Sequence, residues 1–389
     1  MTRRQSPGPR RLAAFGLAAA LAAGTAACDA AASSAKDTAA QTVNLGVLYP
    51  KTGPNAEYGR LFQQGIDLAL KKVNEEGGAG GKTLGVKYFD TQSDPKQTAA
   101  VAPKLVADQS IIAVIGDYSS PASKAASPVF QQAGLVHYGF NSSAPDFPST
   151  GDHVWSPQYG TDSQEPRWAE GVLESGAKKV SVVYIENDWG AQAFGYFKDR
   201  AQEIGLDIIY ESAYPATATD DYSPILIKAR DAKPDAIVQI GYGEGGQIVN
   251  TLRDTLGYDG PFFGGQNTPE FLEVAGENAE GDIIVGSFAV DSERPHVKEF
   301  VEDFRAAYGV DPGDYNVGAY QAVIDLAHGV NQTEPTREGV QEALQTVTDF
   351  PAYLGSRDTF EFNQETRRVK APTPFLLVVR AGKFVPLAG

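Results

Sequence analysis

Five stretches of this chain bring hydroxyls, carboxamides and aromatic rings to points where an apolar strand gives way to a helix. They are residues 49–59, 116–121, 140–146, 186–190 and 241–246. Ser119, Ser120, Asn141, Ser142 and Ser143 offer donors beside helix-start amides, a combination suited to a small anion such as a carboxylate. Tyr58, Tyr118, Trp189 and Tyr242 offer walls for an apolar or flat ligand. The serines are also good N-caps, and one side chain can serve both roles. Bond-making chemistry is not provided for: there is no Gly-x-Ser-x-Gly elbow and no nucleophile–base pairing. His137, His153, His296 and His328 are scattered without ligand spacing, so no metal is expected. One glycine-rich turn, 241–246, follows a strand as dinucleotide loops do, but it stands alone, and no cofactor is expected. These residues suit a binder rather than an enzyme.

The elements that must position them alternate. Residues 43–49 form an apolar run with β character, and residues 57–76 carry Leu61, Phe62, Ile66, Leu68, Leu70 and Val73 at helical spacing. Strands are expected at 84–89, 111–115 and 134–138, with helices at 96–108 and 122–133. The rhythm restarts after Gly160. Helices at 162–175, 192–204, 222–231 and 247–256 alternate with strands at 180–185, 206–210, 236–240 and 283–285. Such β-α-β-α order implies α/β architecture, here two doubly wound parallel-sheet lobes joined by a hinge near residues 150–162. The tail reads as helices at 297–308, 317–330 and 337–347 and strands at 360–362 and 375–379. These need both halves to pack against, so the chain is expected to cross the hinge more than once. The expected lobes are 42–160 with 289–351, and 161–288 with 352–389.

The N-terminus reads as a signal for export. Arg3, Arg4, Arg10 and Arg11 precede a short run of mostly Ala, Leu and Gly over residues 12–27, too short for a confident membrane span. Cys28, the single cysteine of the chain, follows directly. This resembles the lipobox of bacterial lipoproteins, with Thr25 where Leu or Val is usual. It implies a signal peptide over 1–27, a lipid at Cys28 and a flexible tether over 28–41, holding the protein at the outer face of the cell membrane. The formal net charge of −16 argues against nucleic acid as a partner.

Over roughly residues 43–380 the chain resembles type I periplasmic binding proteins, in the branch of the leucine/isoleucine/valine-binding proteins. The resemblance is carried by Val47-Leu48-Tyr49 to Thr52-Gly53, Tyr58-Gly59, Val114-Ile115-Gly116 with Ser119-Ser120, Ser143-Ala144-Pro145-Asp146-Phe147, Trp189-Gly190 and Ala279-Glu280-Gly281. It implies a Venus-flytrap fold and a solute-binding subunit of an ABC importer. Its partners would be a small amino acid or related carboxylate or amide and a membrane permease, and it would act as a monomer. A ligand-sensing ectodomain that signals to a membrane partner is the alternative. By position, Ser120 and Ser143 would bind the ligand carboxylate, assisted by backbone around Ser119 and Asn141. Tyr58, Trp189 and Tyr242 would form walls. The acid that pairs with the ligand ammonium in this family falls at Gln266, a neutral amide and a poorer partner for a cation. Asp117 or Glu244 would have to take over that role, or the ligand lacks an ammonium.

Overall fold

The computed structural model describes residues 42–216 and 221–387. The export-like segment, Cys28 and the 29–41 tether lie outside the described residues.

The first sheet is built from β1 (Thr42–Tyr49), β2 (Thr83–Asp90), β3 (Ile111–Ile115), β4 (Val136–Tyr138) and β5 (Val154–Trp155) in the order β2-β1-β3-β4-β5. β1 runs parallel to β3, β3 to β4 and β4 to β5. α1 (Ala56–Glu75), α2 (Pro95–Ala107) and α3 (Ser120–Gln132) connect successive strands. α1 buries Leu61, Phe62, Ile66 and Val73, the stripe expected from its apolar spacing. α2 starts at Asp94, whose side chain accepts from the Lys96 and Gln97 amides, with Pro95 at the first helical position.

α4 (Thr161–Glu174) opens the second lobe. Its sheet contains β6 (Lys179–Glu186), β7 (Asp207–Pro215), β8 (Ala236–Ile240) and β9 (Phe262–Phe263) in the order β7-β6-β8-β9, all parallel. α5 (Asp188–Ile204), α6 (Ser223–Asp231), α7 (Gly245–Asn250) and α8 (Pro269–Ala275) cover it. The helix expected over 247–256 is two pieces: α7 continues into one π turn at Thr251–Thr255. β10 (Ile283–Gly286) then leads out of the lobe.

The tail returns to the first lobe. α9 (Pro295–Tyr308), α10 (Asp314–Gln332) and α11 (Arg337–Thr346) join its core through Phe300, Phe304, Tyr320 and Val340. A Cβ at Gly65 of α1 would stand 2.1 Å from the Asn316 carbonyl, so glycine there lets α10 lie directly on α1. The short strands β11 (Phe350–Pro351), β12 (Thr359–Phe360), β13 (Phe362–Asn363) and β14 (Arg368–Val369) stay with this lobe. Phe362 packs edge-on against Tyr138 and Trp155. Only β15 (Phe375–Arg380) and β16 (Lys383–Pro386) rejoin the second lobe, where β15 pairs antiparallel with β10 and β16. The expected boundary at 352 is therefore corrected to between β14 and β15. Its cause is the aromatic face of residues 350–362, which buries against the first sheet. The chain crosses between lobes three times: β5 to α4, β10 to α9 and β14 to β15.

Candidate functional site

In open α/β sheets the crevice for a ligand lies beyond the carboxyl ends of the strands, where the strand order reverses. The first sheet reverses between β1 and β3, the second between β6 and β8. The loop after β3, the first turn of α5 after β6 and the loop after β8 carry Tyr118, Trp189 and Tyr242, and these meet. Tyr118 packs edge-on against Tyr242 at 5.6 Å, and Trp189 stacks on Tyr242 at 4.9 Å. Trp189 Nε1 donates across the lobes to Ser143 Oγ at 2.8 Å. Two interlobe ion pairs flank the rings. Lys124 of α3 bridges Asp146 of its own lobe, at 2.8 Å, and Asp188 of α5, while Arg60 of α1 pairs with Glu270 of α8. The lobes are closed on a cavity of about 110 Å³.

The first-lobe wall is a buried hydrogen-bond lattice. Ser119 caps α3, accepting from the Ala122 amide, and its hydroxyl lies 3.0 Å from Ser93 Oγ. Ser120 Oγ accepts from the Ala144 amide at 3.3 Å, and Asn141 Nδ2 donates to the Tyr118 carbonyl at 2.6 Å. Ser142 donates to Ser123 Oγ at 2.8 Å. Behind them His137 Nε2 donates to the Gly116 carbonyl at 2.7 Å, and burial lowers its pKa to about 4. Arg368 of β14, itself buried, donates to the carbonyls of Gln158, Ser142 and Ala144 and holds the loop that presents Ser143. Burial brings its pKa down to about 10.

Of the expected site residues, Tyr118, Ser120, Asn141, Ser143, Trp189, Tyr242 and Gln266 line the cavity. Tyr58, Ser119, Ser142 and Glu244 stand behind it. Tyr58 stacks on Tyr118 at 4.3 Å, so it acts as backing to a wall. Glu244 accepts from the Tyr214 hydroxyl and, at 3.0 Å, from the Tyr242 amide, which sets the Tyr242 loop. Asp117 is fully buried and accepts from Thr91 Oγ1 at 2.6 Å and Thr98 Oγ1 at 3.0 Å. Neither acid proposed to replace the one missing at Gln266 reaches the cavity. Gln266 does, with its carbonyl oxygen buried and without a partner among the described residues.

Sequence reasoning missed Gln158, Gln164, Glu165, Trp168, Gln239, Asp314 and Tyr315, which also line the cavity. Burial raises Glu165 to about 8 and Asp314 to about 7. Asp314 still accepts from Asn267 Nδ2 at 3.0 Å. Most of these residues sit on strand β8, in the first half of α4 or at the start of α10, elements that look like plain structure in a linear reading. The available signal was the run Gln164-Glu165 at the start of a helix just after a hinge crossing.

Two parallel-sheet lobes closed by a three-segment hinge on a polar, ring-walled cavity define a hinge-closing solute-binding protein. A family profile described as periplasmic binding protein matches residues 42–383. The Leu/Ile/Val-binding protein homolog 1 of Brucella melitensis is 29% identical over 325 residues, covering 80% of this chain and 85% of that protein. The branched-chain amino acid transporter substrate-binding protein LivJ from Streptococcus pneumoniae, solved with isoleucine, superposes with a TM-score of 0.80 at 26% identity, covering 88% of this chain and 97% of that one. A solute-binding protein from Rhodopseudomonas palustris, solved with 3,4-dihydroxybenzoic acid, shares the fold at a TM-score of 0.79 and 21% identity, over 89% and 96% of the two chains. The chain belongs to the periplasmic binding protein family, type I, of the leucine/isoleucine/valine-binding kind. Its members are exported solute-binding proteins of ABC transporters, not enzymes.

Proposed function

We propose that this protein binds a branched-chain amino acid, or a related small carboxylate or amide, between its lobes and delivers it to an ABC permease. The observation that carries this reading is the contact of Trp189 with Ser143 and Tyr242 above a cavity lined on its first-lobe side by Ser120, Ser143 and Asn141. The hydroxyls of Ser120 and Ser143 accept from protein groups, which leaves their own protons to donate to a carboxylate. A ligand touching both walls binds the closed form more tightly than the open one, and that difference drives closure. The closed form is then the one the permease recognises. Cys28 carries the lipid that keeps the monomeric protein at the outer membrane face, with residues 29–41 as tether.

A thermal-shift panel on ligand-stripped protein tests the binding reading. Amino acids, their deaminated acids, amides, urea and small aromatic acids are compared. A ligand that binds only the folded state raises Tm by mass action. A rise with leucine, isoleucine or valine, or with their acids or amides, is expected; no rise with any of them removes the assignment.

A further inference from the structure

Accepting the amino-acid reading above, we propose that Glu165 is the group that pairs with the cationic nitrogen of the ligand, taking the place that Gln266 cannot fill. The cavity holds no Lys, Arg or His among its lining residues, and its acidic side chains are Glu165 and Asp314. Asp314 is spoken for by Asn267 and by the backbone of Ser287 and Phe288. Glu165 is not. It is 4% exposed, and its Oε2 is buried with no hydrogen-bond partner among the described residues. One helical turn back on the same face of α4, Thr161 Oγ1 is also buried and unpartnered. The Thr161 amide donates to the Ser143 carbonyl at 3.0 Å, so this face of α4 begins at the loop that presents the Ser143 hydroxyl. The Gln266 carbonyl is a further unpaired acceptor in the same cavity. Donors for an anion therefore come from the first-lobe loops, and unpaired acceptors come from α4 and the Gln266 loop. A zwitterion with its ammonium toward Glu165 fits that polarity.

A buried carboxyl without a donor must either keep its proton or meet a cation. Burial is the only cause acting on Glu165, and it raises the group to about 8. In the empty cleft at neutral pH the carboxyl is therefore mostly protonated. A bound ammonium favours the charged form, so ligand entry expels a proton to solvent. Glu165→Gln copies the neutral state in size and shape and should fold normally, but it cannot supply the charge.

The test is titration calorimetry of the full chain with L-leucine and with 4-methylpentanoate, its deaminated counterpart, and likewise with L-phenylalanine and 3-phenylpropanoate. Each is run at pH 7 in buffers of different ionisation enthalpy, for wild type and Glu165→Gln. We expect wild type to bind the amino acid with release of close to one proton, and Glu165→Gln to bind it roughly tenfold or more weakly without release. Affinity of wild type should rise by up to about tenfold per pH unit between pH 6 and 8, as deprotonation ceases to oppose binding. The deaminated acids should show neither effect. Equal amino-acid affinity and equal proton release in the two proteins would overturn the role of Glu165 while leaving the amino-acid reading intact. Wild type binding the deaminated acids in preference to the amino acids would overturn it as well, since the ligand then carries no cation. Wild type binding none of the four would remove the amino-acid reading itself, and the pairing with it.

Discussion

The two walls of the cleft are built on different principles. The first-lobe wall is a lattice of short side chains, with Ser93, Ser119, Ser120, Asn141, Ser142 and Ser143 tied to backbone or to one another and supported from behind by His137 and Arg368. The second-lobe wall is made of large rings, Trp189 in the first turn of α5 and Tyr242 on the loop after β8, held by stacking, by the Glu244 contact and by ion pairs at the rim. A hydrogen-bonded lattice fixes short side chains within one lobe, whereas rings held by stacking move with the lobe that carries them. The lesson is a division of labour: one wall is preformed and reads the polar end of a ligand, while the other arrives with closure and covers it.

The strongest blow to the stiff wall is Arg368→Met. It leaves the Ser142, Ala144 and Gln158 carbonyls without their buried donor, and we expect a loss of about 3–5 kcal/mol, measured by denaturant unfolding. A loss under 1 kcal/mol would mean the first wall is not organised from behind.

Next come two buried groups with opposite pH signatures, one on each side of the cleft. His137 has an ordinary value of 6.5 and is held at about 4 in the fold, so only the unfolded chain takes up its proton between those values. Its stabilisation is full above pH 6.5 and is lost as pH falls toward 4. Glu165 has an ordinary value of 4.5 and is held at about 8, so the fold keeps a proton that the unfolded chain releases. Its contribution is full below pH 4.5 and is lost as pH rises toward 8. The effects are on the order of 3 kcal/mol for His137 and 5 kcal/mol for Glu165. In ligand-free protein, Glu165→Gln should raise Tm relative to wild type at pH 8 and leave it unchanged at pH 4. A gain of the same size at both pH values would show that the fold does not raise the carboxyl above its ordinary range.

Trp189→Ala sharpens the contrast on the covering wall. The ring leaves the stack with Tyr242 and its bond to Ser143, so ligand affinity should fall about tenfold, roughly 1.4 kcal/mol, with little change in Tm. Ser143→Ala should weaken binding several-fold. Wild-type affinity in both would place the ligand elsewhere. The smallest effect belongs to the rim. Lys124→Met removes an exposed ion pair with Asp188, worth about 0.5 kcal/mol, so affinity should drop about twofold in dilute salt and the difference should vanish in high salt.

Strand and helix positions were legible because apolar spacing is a local property. α1 was expected at 57–76 and lies at Ala56–Glu75; α4 was expected at 162–175 and lies at Thr161–Glu174. The loop residues of the cleft were legible because strand-to-helix loops at a topological reversal are where ligands bind. Tyr58 and Glu244 come from the right loops, yet they back the wall, because stacking on Tyr118 and bonding to Tyr214 turn them away from the cavity. Glu165 and Asp314 were hidden for a different reason. Asp314 opens α10 and Glu165 lies near the start of α4, where a carboxylate reads as favourable to the helix end, and only the packing of the lobes shows that both are buried. The place of residues 352–369 was not legible because Phe362 packs on aromatics more than 200 positions earlier, and Phe350 and Phe360 pack on Phe362.

Interleaving of the lobes along the chain has a consequence for the order in which the protein is made. Asn316 of α10 donates to the Leu61 carbonyl of α1 at 3.0 Å across 255 positions, and Gly65 is shaped to receive that helix. A growing polypeptide that has not yet reached α10 lacks the surface that closes the first core, and one that has not reached β15 lacks the partner strand of β10. Neither lobe can therefore be cut out as one continuous fragment, and both cores are completed only when the last fifth of the polypeptide is available. Until then neither hydrophobic core is complete.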